Sequence, residues 1–221
     1  MKREVIITSD GSTTIHLPDW DEQYHSKHGA IQEAYHVFIR KGLDLFSDKV
    51  CILEIGFGTG LNAFISYLES TKRNLDINYT GIEAYPIALD EVNKLNYANE
   101  LNAQEANKVF KKIHSVSWEE KHLVSENFCI LKRQQFFKDI KDKNAFDLIY
   151  FDAFGARVQP ELWTEEVFEI MYTALKEKGV LVTYAAKGSV RRAMQAVGFT
   201  VERLEGPPGK REMLRATKKV V

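Results

Sequence analysis

The feature that most constrains the fold is a glycine-rich turn after an apolar run, since residues 51–62 read CILEIGFGTGLN. Gly56, Gly58 and Gly60 stand at alternate positions. Residues without a side chain allow positive φ angles and let a ligand approach the backbone. A turn of this kind joins a buried strand to a helix, and the helix N-terminus favours an anion. The turn therefore predicts a strand–turn–helix unit under a nucleotide-like cofactor.

The glycine spacing distinguishes between three cofactors. An ATP-binding P-loop needs Lys-Ser or Lys-Thr after its last glycine, and neither follows Gly60. A dinucleotide turn needs a third glycine one residue later than Gly60. Glu54 would repel a pyrophosphate but suits a sulfonium cofactor with a cationic amino-acid end. The pattern predicts S-adenosylmethionine (SAM) as the cofactor, and the expected contacts in this stretch are Glu54, Gly56, Phe57, Gly58, Gly60 and Asn62.

Strands and helices alternate along most of the chain. The predicted strands are 50–55, 77–83, 127–132, 146–151 and 180–184, and the helices between them include 60–70, 161–176 and 188–197. Two closing strands at 199–204 and 212–217 have no helix between them, which makes one late strand antiparallel. The alternation predicts an α/β fold: a Rossmann-like, seven-stranded SAM-dependent methyltransferase sheet, mostly parallel with one antiparallel strand, with helices on both faces.

The pattern of apolar residues divides the chain into two regions. Residues 1–45 contain a loose alternation around Asp10-Gly11 and a helical pattern over 28–40, which predict an N-terminal hairpin and helix extension. Residues 46–221 carry the expected methyltransferase domain. Within it, the polar and lysine-rich segment 94–125 is expected to be a helical insertion.

Two further acids follow predicted strands. Glu83 ends the second strand, 23 residues after Gly60, where a carboxylate can accept both ribose hydroxyls of the cofactor. Asp152 follows the fourth strand, at the carboxyl edge where ligands bind in such sheets. A polar residue at that position faces the transferred methyl group. Both acids are therefore expected beside the cofactor.

Several classes of protein are disfavoured by the composition. No apolar run approaches the ~18 residues of a membrane span, residues 1–20 show no signal-peptide pattern, and the two cysteines form no CxxC pair. We therefore expect a cytoplasmic protein without membrane contact. His25 and His28 lack the cysteine or acidic neighbours of a metal site, so no metal is expected.

Charge is distributed unevenly along the chain. Residues 185–221 contain nine Lys or Arg and three Asp or Glu, a net charge of +6, which leaves −7 on residues 1–184. An acidic body with a basic end suggests a phosphate-binding face, and a solvated surface would account for the same distribution.

Five segments together resemble one known family. They read YHSKHGAIQEAYHVFIR at 24–40, EIGFGTGLN at 54–62, FDAFGARVQPELW at 151–163, TYAAKGSVRRAMQAVG at 183–198 and GPPGKREML at 206–214. In content and order they are similar to the methyltransferase domain of the MnmC-type bacterial enzymes, from about residue 20 to 216. That family completes 5-methylaminomethyl(-2-thio)uridine at the wobble position of tRNA.

This resemblance implies a reaction and a partner. SAM would methylate the 5-aminomethyl group of a wobble (2-thio)uridine, giving 5-methylaminomethyl-(2-thio)uridine. Asp152 would be the catalytic residue, holding the amine as a base or by position alone. Gln134 stands where many members have Gly-Asp after the third strand, and would read the adenine edge. Contacts with tRNA are implied for Tyr24, Phe154, Lys187, Arg191, Arg192, Lys210 and Arg211.

The bifunctional members carry a flavin oxidase domain after this one, so a stand-alone methyltransferase is expected here, acting after a separate enzyme that installs the aminomethyl group. Three other functions stay open. They are a methyltransferase for a small-molecule or protein amine, an aminopropyltransferase, and an oxidoreductase or non-catalytic nucleotide-binding module. The basic end and the GKREML block oppose the first, the absence of matching family blocks opposes the second, and the glycine spacing and retained acids oppose the third.

Overall fold

The computed structural model describes residues 2–220, which form two β-sheets with helices packed around the larger sheet. The strands are β1 (Glu4–Ile7), β2 (Thr13–Leu17), β3 (Glu22–Gln23), β4 (Lys49–Ile55), β5 (Asp76–Glu83), β6 (Lys121–Ser125), β7 (Phe128–Gln134), β8 (Phe146–Phe151), β9 (Leu175–Thr183), β10 (Thr200–Glu205) and β11 (Glu212–Thr217). The helices are α1 (Ala30–Ala34), α2 (Leu61–Arg73), α3 (Leu89–Val92), α4 (Tyr97–Glu100), α5 (Asn107–Ser115), α6 (Glu165–Ala174) and α7 (Gly188–Ala196). A π-helical stretch at Tyr35–Arg40 continues α1.

The larger sheet has eight strands in the order β10-β11-β9-β8-β4-β5-β7-β6. Parallel pairing joins β7, β5, β4, β8 and β9. β11 is antiparallel to both β9 and β10. These seven strands confirm the predicted Rossmann-like methyltransferase sheet, mostly parallel with one antiparallel strand. The eighth strand, β6, was not predicted and pairs antiparallel with the outer side of β7.

The sheet separates two apolar clusters. On one face, Phe38 after α1, Phe64 of α2 and Phe110 of α5 are buried together. On the other face, Phe168 of α6 and Met194 of α7 are buried. The strands between them carry apolar runs because both of their faces are covered. The two clusters confirm the prediction of helices on both faces.

The segment 94–125 is only partly helical. It contains α4 and α5, but its last residues form the strand β6 rather than continuing the expected helical insertion. Of the five residues of β6, only Val124 is buried. An edge strand with so little burial shows no alternation of apolar and polar residues, so the sequence pattern gives no sign of it.

The helix predicted over 161–176 is shorter at both ends. Residues Pro160–Trp163 form a 3-10 turn, and α6 begins only after Thr164. The Thr164 side chain accepts a hydrogen bond from the Val167 amide, which caps the helix. The chain then becomes extended at Leu175, where β9 begins.

The N-terminal strands form a separate three-stranded sheet, in the order β1-β2-β3, that lies against the larger one. The Asn96 side chain accepts from the Thr13 amide at 2.8 Å and donates to the Gly11 carbonyl at 2.9 Å. Arg3 donates to the Tyr85 carbonyl at 2.8 Å, in the loop after β5. These contacts hold the small sheet beside the carboxyl ends of the parallel strands. No helix within residues 2–220 has the length and apolar character needed to cross a membrane.

Candidate active site

A cavity of about 900 Å³ opens at the carboxyl edge of the parallel strands. The glycine turn after β4, the loops after β5, β7 and β8, and the N-terminal sheet all contribute to its lining. The predicted site residues that line it are Tyr24, Gly56, Phe57, Gly58, Asn62, Glu83, Asp152 and Phe154. The structure therefore gathers, in one cavity, residues that are up to 130 positions apart in the sequence.

The glycine turn has the backbone that its sequence predicts. Gly56 and Gly60 have φ angles of +87° and +70°, which residues with a side chain rarely adopt. A Cβ atom at Gly56 would lie 2.7 Å from the Asp152 carbonyl oxygen, and one at Gly60 would lie 2.7 Å from Nε2 of His114. α2 begins at Leu61, so its first turn lines the cavity directly after the last glycine.

Two carboxyl groups share one amide at the cavity floor, where Asn62 and Asp152 belong to the lining and Glu54 is buried behind them. Asn62 Nδ2 donates to Glu54 Oε1 at 2.9 Å and to Asp152 Oδ2 at 2.8 Å. Burial, and then the nearby charge of Asp152, raise the pKa of Glu54 well above its usual range. Burial, with the charge of Glu33 adding to it, raises the pKa of Asp152 to about 7. Asp152 therefore exchanges its proton near neutral pH.

Two acceptor atoms on this floor fit the cationic end of SAM. Glu54 Oε2 and Asn62 Oδ1 are buried and have no hydrogen-bond partner within the part of the chain that the structure describes. The Tyr79 hydroxyl beside Glu54 is also buried without a partner and can supply one donor, which leaves the remaining acceptor capacity open to a ligand. The α-ammonium group of SAM offers N–H donors and a positive charge. The geometry thus agrees with the expectation that Glu54 suits a cofactor with a cationic amino-acid end.

Glu83 ends β5 at the rim of the glycine turn. Its Oε2 accepts from the Gly58 amide at 2.9 Å, and its Oε1 accepts from the Tyr85 amide at 2.9 Å. These two bonds fix the carboxylate, and each of its oxygens can accept a further hydrogen bond. Glu83 is therefore available to the two hydroxyls of a ribose.

An aromatic wall, formed by Trp20, Tyr24 and Phe154, closes another part of the cavity. Phe154 lies edge-to-face with Tyr24 at 5.0 Å and with Trp20 at 5.8 Å between ring centres. Burial raises the pKa of Tyr24 to about 12, so its phenol stays neutral. Sequence reasoning missed Trp20, because it lies in a polar turn where no periodic pattern indicates burial.

Four predicted cofactor contacts have other surroundings, and two of them, Glu54 and Gly60, are buried outside the cavity lining. The Phe57 ring packs against His114 and Trp118, at 5.7 and 6.1 Å between ring centres, although the residue lines the cavity. Gln134 lies outside the cavity lining, where the residue is exposed and its backbone N–H donates to Glu119 Oε1. β7 extends to Gln134, two residues beyond the predicted end, so residues 136–138 reach the cavity in its place.

The exposed basic residues lie at the same edge as the cavity. Lys187, Arg192 and Arg211 are exposed, and Arg191 is partly exposed. Lys187 precedes α7, just beyond the carboxyl end of β9. Arg211 lies in the turn after β10, which runs in the same direction as β9 because β11 is antiparallel to both. The predicted tRNA contacts therefore include cations on the same side of the sheet as the cavity, although none of them belongs to its lining.

Lys210, another predicted tRNA contact, forms an ion pair within the protein. Its Nζ lies 2.5 Å from Oε2 of Glu33 and 3.9 Å from the centre of the Tyr184 ring. Glu33 is only 6% exposed, and a buried carboxylate needs a counter-charge. This pairing occupies the Lys210 ammonium group, while the side chain stays 32% exposed, so a phosphate contact from this lysine remains a prediction.

His25 joins the N-terminal sheet to the glycine turn. Its Nδ1 lies 3.1 Å from Thr14 Oγ1, its Nε2 lies 3.5 Å from Thr59 Oγ1, and the Tyr97 hydroxyl donates to the same Thr59 oxygen at 2.9 Å. Burial lowers the pKa of His25 to about 4, so the ring is neutral near pH 7. Across residues 2–220, no group of three or more His, Cys, Asp or Glu side chains is arranged to hold a metal ion.

Known proteins that are similar to this chain include methyltransferases. Residues 93–219, more than half of the chain, match the profile of a family described as S-adenosyl-L-methionine-dependent methyltransferase. The tRNA 5-methylaminomethyl-2-thiouridine biosynthesis bifunctional protein MnmC of Hydrogenovibrio crunogenus is 27% identical, over 88% of this chain and 31% of its own length. The protein of the same name from Cupriavidus metallidurans is 27% identical, over 95% of this chain and 33% of its own length. The chain thus spans about a third of the length of these curated relatives.

Solved structures share the fold. MNMC2 from Aquifex aeolicus matches with a TM-score of 0.79 and 24% identity, covering 100% of this chain and 71% of that one. Spermidine synthase from Thermotoga maritima matches with a TM-score of 0.55 and 16% identity, covering 100% of this chain and 75% of that one. At these identities the likeness shows the fold alone, and the family match carries the assignment. The chain belongs to the family of S-adenosyl-L-methionine-dependent methyltransferases, and SAM is its cofactor.

Proposed function

We propose that the protein methylates the 5-aminomethyl group of a wobble (2-thio)uridine in tRNA, giving 5-methylaminomethyl-(2-thio)uridine. The observation that carries the proposal is the position of Asp152, a carboxyl group with a pKa near 7 that lines the same cavity as Glu83 and the aromatic wall. The names of the curated relatives refer to biosynthesis of this nucleoside, which supports the choice of substrate.

Asp152 suits an amine acceptor because of its charge and its readiness to exchange a proton. A primary alkylamine is mostly protonated at pH 7, and only the neutral amine has a lone pair for attack. Ionised Asp152 binds the ammonium group, and a pKa of about 7 lets it accept the proton. SAM, when bound, supplies an activated methyl group, and Glu54, Asn62 and Glu83 would hold its polar ends.

The rest of the cavity suits a nucleobase and its backbone. Unstacked bases in single-stranded RNA are commonly bound against aromatic side chains, and Trp20, Tyr24 and Phe154 provide such a wall. A volume of about 900 Å³ lies near the upper end of the range for small-molecule pockets, which leaves room for an acceptor beside the cofactor. The exposed cations at the cavity edge would contact phosphates.

The proposed reaction consumes an aminomethyl group that must already be present on the uridine. A separate activity therefore has to install or uncover that amine before this step. Fully methylated tRNA offers no primary amine and should not be a substrate.

The test is methyl transfer from labelled SAM to tRNA. Label should enter tRNA that carries 5-aminomethyl-(2-thio)uridine and should not enter tRNA that already carries the final methyl group. The Asp152→Asn variant should bind SAM but lose about 100-fold or more in kcat, the range typical of removing a general base. Transfer to free polyamines or to a protein, without transfer to tRNA, would overturn the substrate assignment. Unchanged turnover by Asp152→Asn would remove the role of Asp152.

A further inference from the structure

One lysine of the turn between β10 and β11, Lys210, forms an ion pair beside the active site. Lys210 Nζ contacts Oε2 of Glu33, a residue of α1 that lies 177 positions earlier in the chain. The other Glu33 oxygen accepts from the Ser26 amide at 3.2 Å. An ion pair held this firmly, with the glutamate only 6% exposed, is a fixed pair of opposite charges rather than a loose surface contact.

This ion pair is connected to the segment that carries Asp152. Lys210 Nζ lies 3.9 Å from the centre of the Tyr184 ring. The Tyr184 hydroxyl donates to the carbonyl of Ala153 at 2.7 Å, which is the residue directly after Asp152. The lysine therefore supports, through one aromatic ring, the backbone that positions the catalytic carboxyl group.

Both charges of the pair also act on Asp152 through space, and in opposite directions. The carboxylate of Glu33 raises the pKa of Asp152, and the ammonium of Lys210 lowers it. The other ionisable groups that interact with Asp152 are Glu54 on β4, Tyr79 on β5 and Tyr184 after β9. Burial raises the pKa of all three, so the two tyrosines stay neutral. Lys210 is thus the one positive charge among the described residues that act on Asp152, and the others are acids or neutral tyrosines.

We propose that Glu33 and Lys210 form a positioning pair of opposite charges for the acceptor end of the site, held against the Asp152 segment through the Tyr184 ring. The inference rests on the proposed function, because it assumes that Asp152 receives the amine. The proposal adds Glu33 and Lys210 as residues that support the site without contacting cofactor or acceptor. It also assigns a role to the GKREML segment, residues 209–214, which contains Lys210. In this proposal Lys210 acts on Asp152, while its neighbour Arg211 is exposed to solvent.

The pair is tested by measuring the titration midpoint of Asp152 directly. Carbon-13 NMR of the side-chain carboxyl groups, assigned with Asp152→Asn, gives this midpoint in the protein without any acceptor. Lys210→Met should raise the midpoint and Glu33→Gln should lower it, each by about 0.5–1 pH unit. The double variant should return close to the wild-type value. The acidic limb of kcat/KM for methyl transfer should shift in the same directions.

Opposite shifts of the Asp152 midpoint distinguish this role from a structural one, since a loosened fold would shift the midpoint in the same direction in both single variants. Lys176→Met is the matched control: it breaks another lysine–carboxylate pair, with Asp147 at 2.9 Å, at the amino edge of the sheet. It should leave the Asp152 midpoint unchanged. Lys210→Arg keeps the charge and should keep the wild-type midpoint, which provides a readout if Lys210→Met does not fold. Shifts in the same direction, or none, would overturn the proposal.

The two proposals fail in distinguishable ways. Opposite shifts of the Asp152 midpoint, together with no transfer to tRNA, would retain the positioning pair and reject the tRNA substrate. Transfer to tRNA without the opposite shifts would retain the substrate and reject the pair.

Discussion

At the scale of single residues, Asn62 joins the two ends of the cavity. One amide group donates both to Glu54, at the end that fits the cationic part of SAM, and to Asp152, at the proposed acceptor end. A hydrogen bond to a charged group contributes about 1.5–3 kcal/mol, and the contribution falls when the acid is protonated. The stabilising effect of Asn62 should therefore depend on pH.

For Asn62→Ala we expect a loss in the free energy of unfolding of about 2 kcal/mol at pH 8. The loss should be clearly smaller at pH 5, because the pKa of Asp152 is about 7 and its carboxyl group is then mostly protonated. Urea denaturation at the two pH values measures both losses. Any cavity left by the truncation contributes equally at both, so equal losses would contradict an electrostatic role for Asn62.

Asp152 itself should reduce stability as the pH rises. Its pKa increases from 3.8 in the unfolded chain to about 7 in the folded protein, so between these values the unfolded chain binds fewer protons. The stability of the wild type relative to Asp152→Asn should therefore fall from about pH 4 to pH 7 and stay constant above that. The difference should reach about 4 kcal/mol, since the pKa rises by about three units and one unit corresponds to ~1.4 kcal/mol. Urea denaturation across this pH range measures the difference in stability between the two proteins. A difference that does not change with pH would contradict the raised pKa of Asp152.

The site residues that the sequence predicts share one property: each stands at a fixed position relative to a strand or a turn. Glu54, Glu83 and Asp152 all stand at or near the ends of buried strands, and strand ends are visible in an apolar pattern. Glu33 and Trp20 lack such a place, because their roles come from contacts with distant segments. Lys210 was visible as part of a motif, but its direction, toward Glu33 rather than solvent, depends on packing across 177 residues.

At the scale of elements, the glycine turn controls the cofactor end of the site. Gly56→Ala would force a side chain into a φ of +87° and bring its Cβ to 2.7 Å from the Asp152 carbonyl oxygen. Backbone strain of this kind costs roughly 1–3 kcal/mol. We expect the turn to shift and SAM affinity, measured by calorimetry, to fall about tenfold or more.

Gly155→Ala is the matched control for that substitution. A Cβ atom there meets only the Tyr184 hydroxyl oxygen, at 3.7 Å, which is an ordinary contact. SAM affinity should stay within about twofold of the wild type. Equal loss of affinity in the two variants would show that the strain at Gly56 is not what matters.

Which elements could be predicted depends on how they are buried. The strands β4, β5, β8 and β9 are covered on both faces, so their apolar runs stand out in the sequence. β6 lies at the sheet edge with one buried residue and leaves no such run. The start of α6 was missed because Thr164 caps the helix four residues after Pro160, and the intervening 3-10 turn has no periodic pattern of its own.

At the scale of the whole molecule, the site depends on contacts between segments that are far apart in the chain. The N-terminal sheet contributes Trp20, Tyr24 and His25 to the cavity, and the turn before β11 contributes the lysine that pairs with Glu33. The sequence indicated an extension before the sheet, but no local pattern shows that it covers the carboxyl edge. That position follows from hydrogen bonds such as those between Asn96 and residues 11 and 13.

The uneven charge of the chain makes a prediction about tRNA binding. The affinity of a protein for a nucleic acid falls with salt in proportion to the number of phosphates that it neutralises, with a slope of about −0.7 to −0.9 per contact. The triple variant Lys187→Gln, Arg192→Gln, Arg211→Gln removes exposed cations at the cavity edge. The slope of log affinity against log salt should become less steep by about 2 to 3.

A second triple variant separates location from net charge. Lys49, Lys178 and Lys219 are exposed, and all three lie at the opposite edge of the sheet, at the start of β4, near the start of β9 and after the end of β11. Changing them to Gln removes the same charge, and the salt slope should stay at the wild-type value because the proposed phosphate contacts lie at the other edge. Binding of tRNA measured by filter retention over a range of salt concentrations compares the two variants. Equal changes in slope would mean that the whole charge of the protein, and not the cavity edge, attracts the RNA.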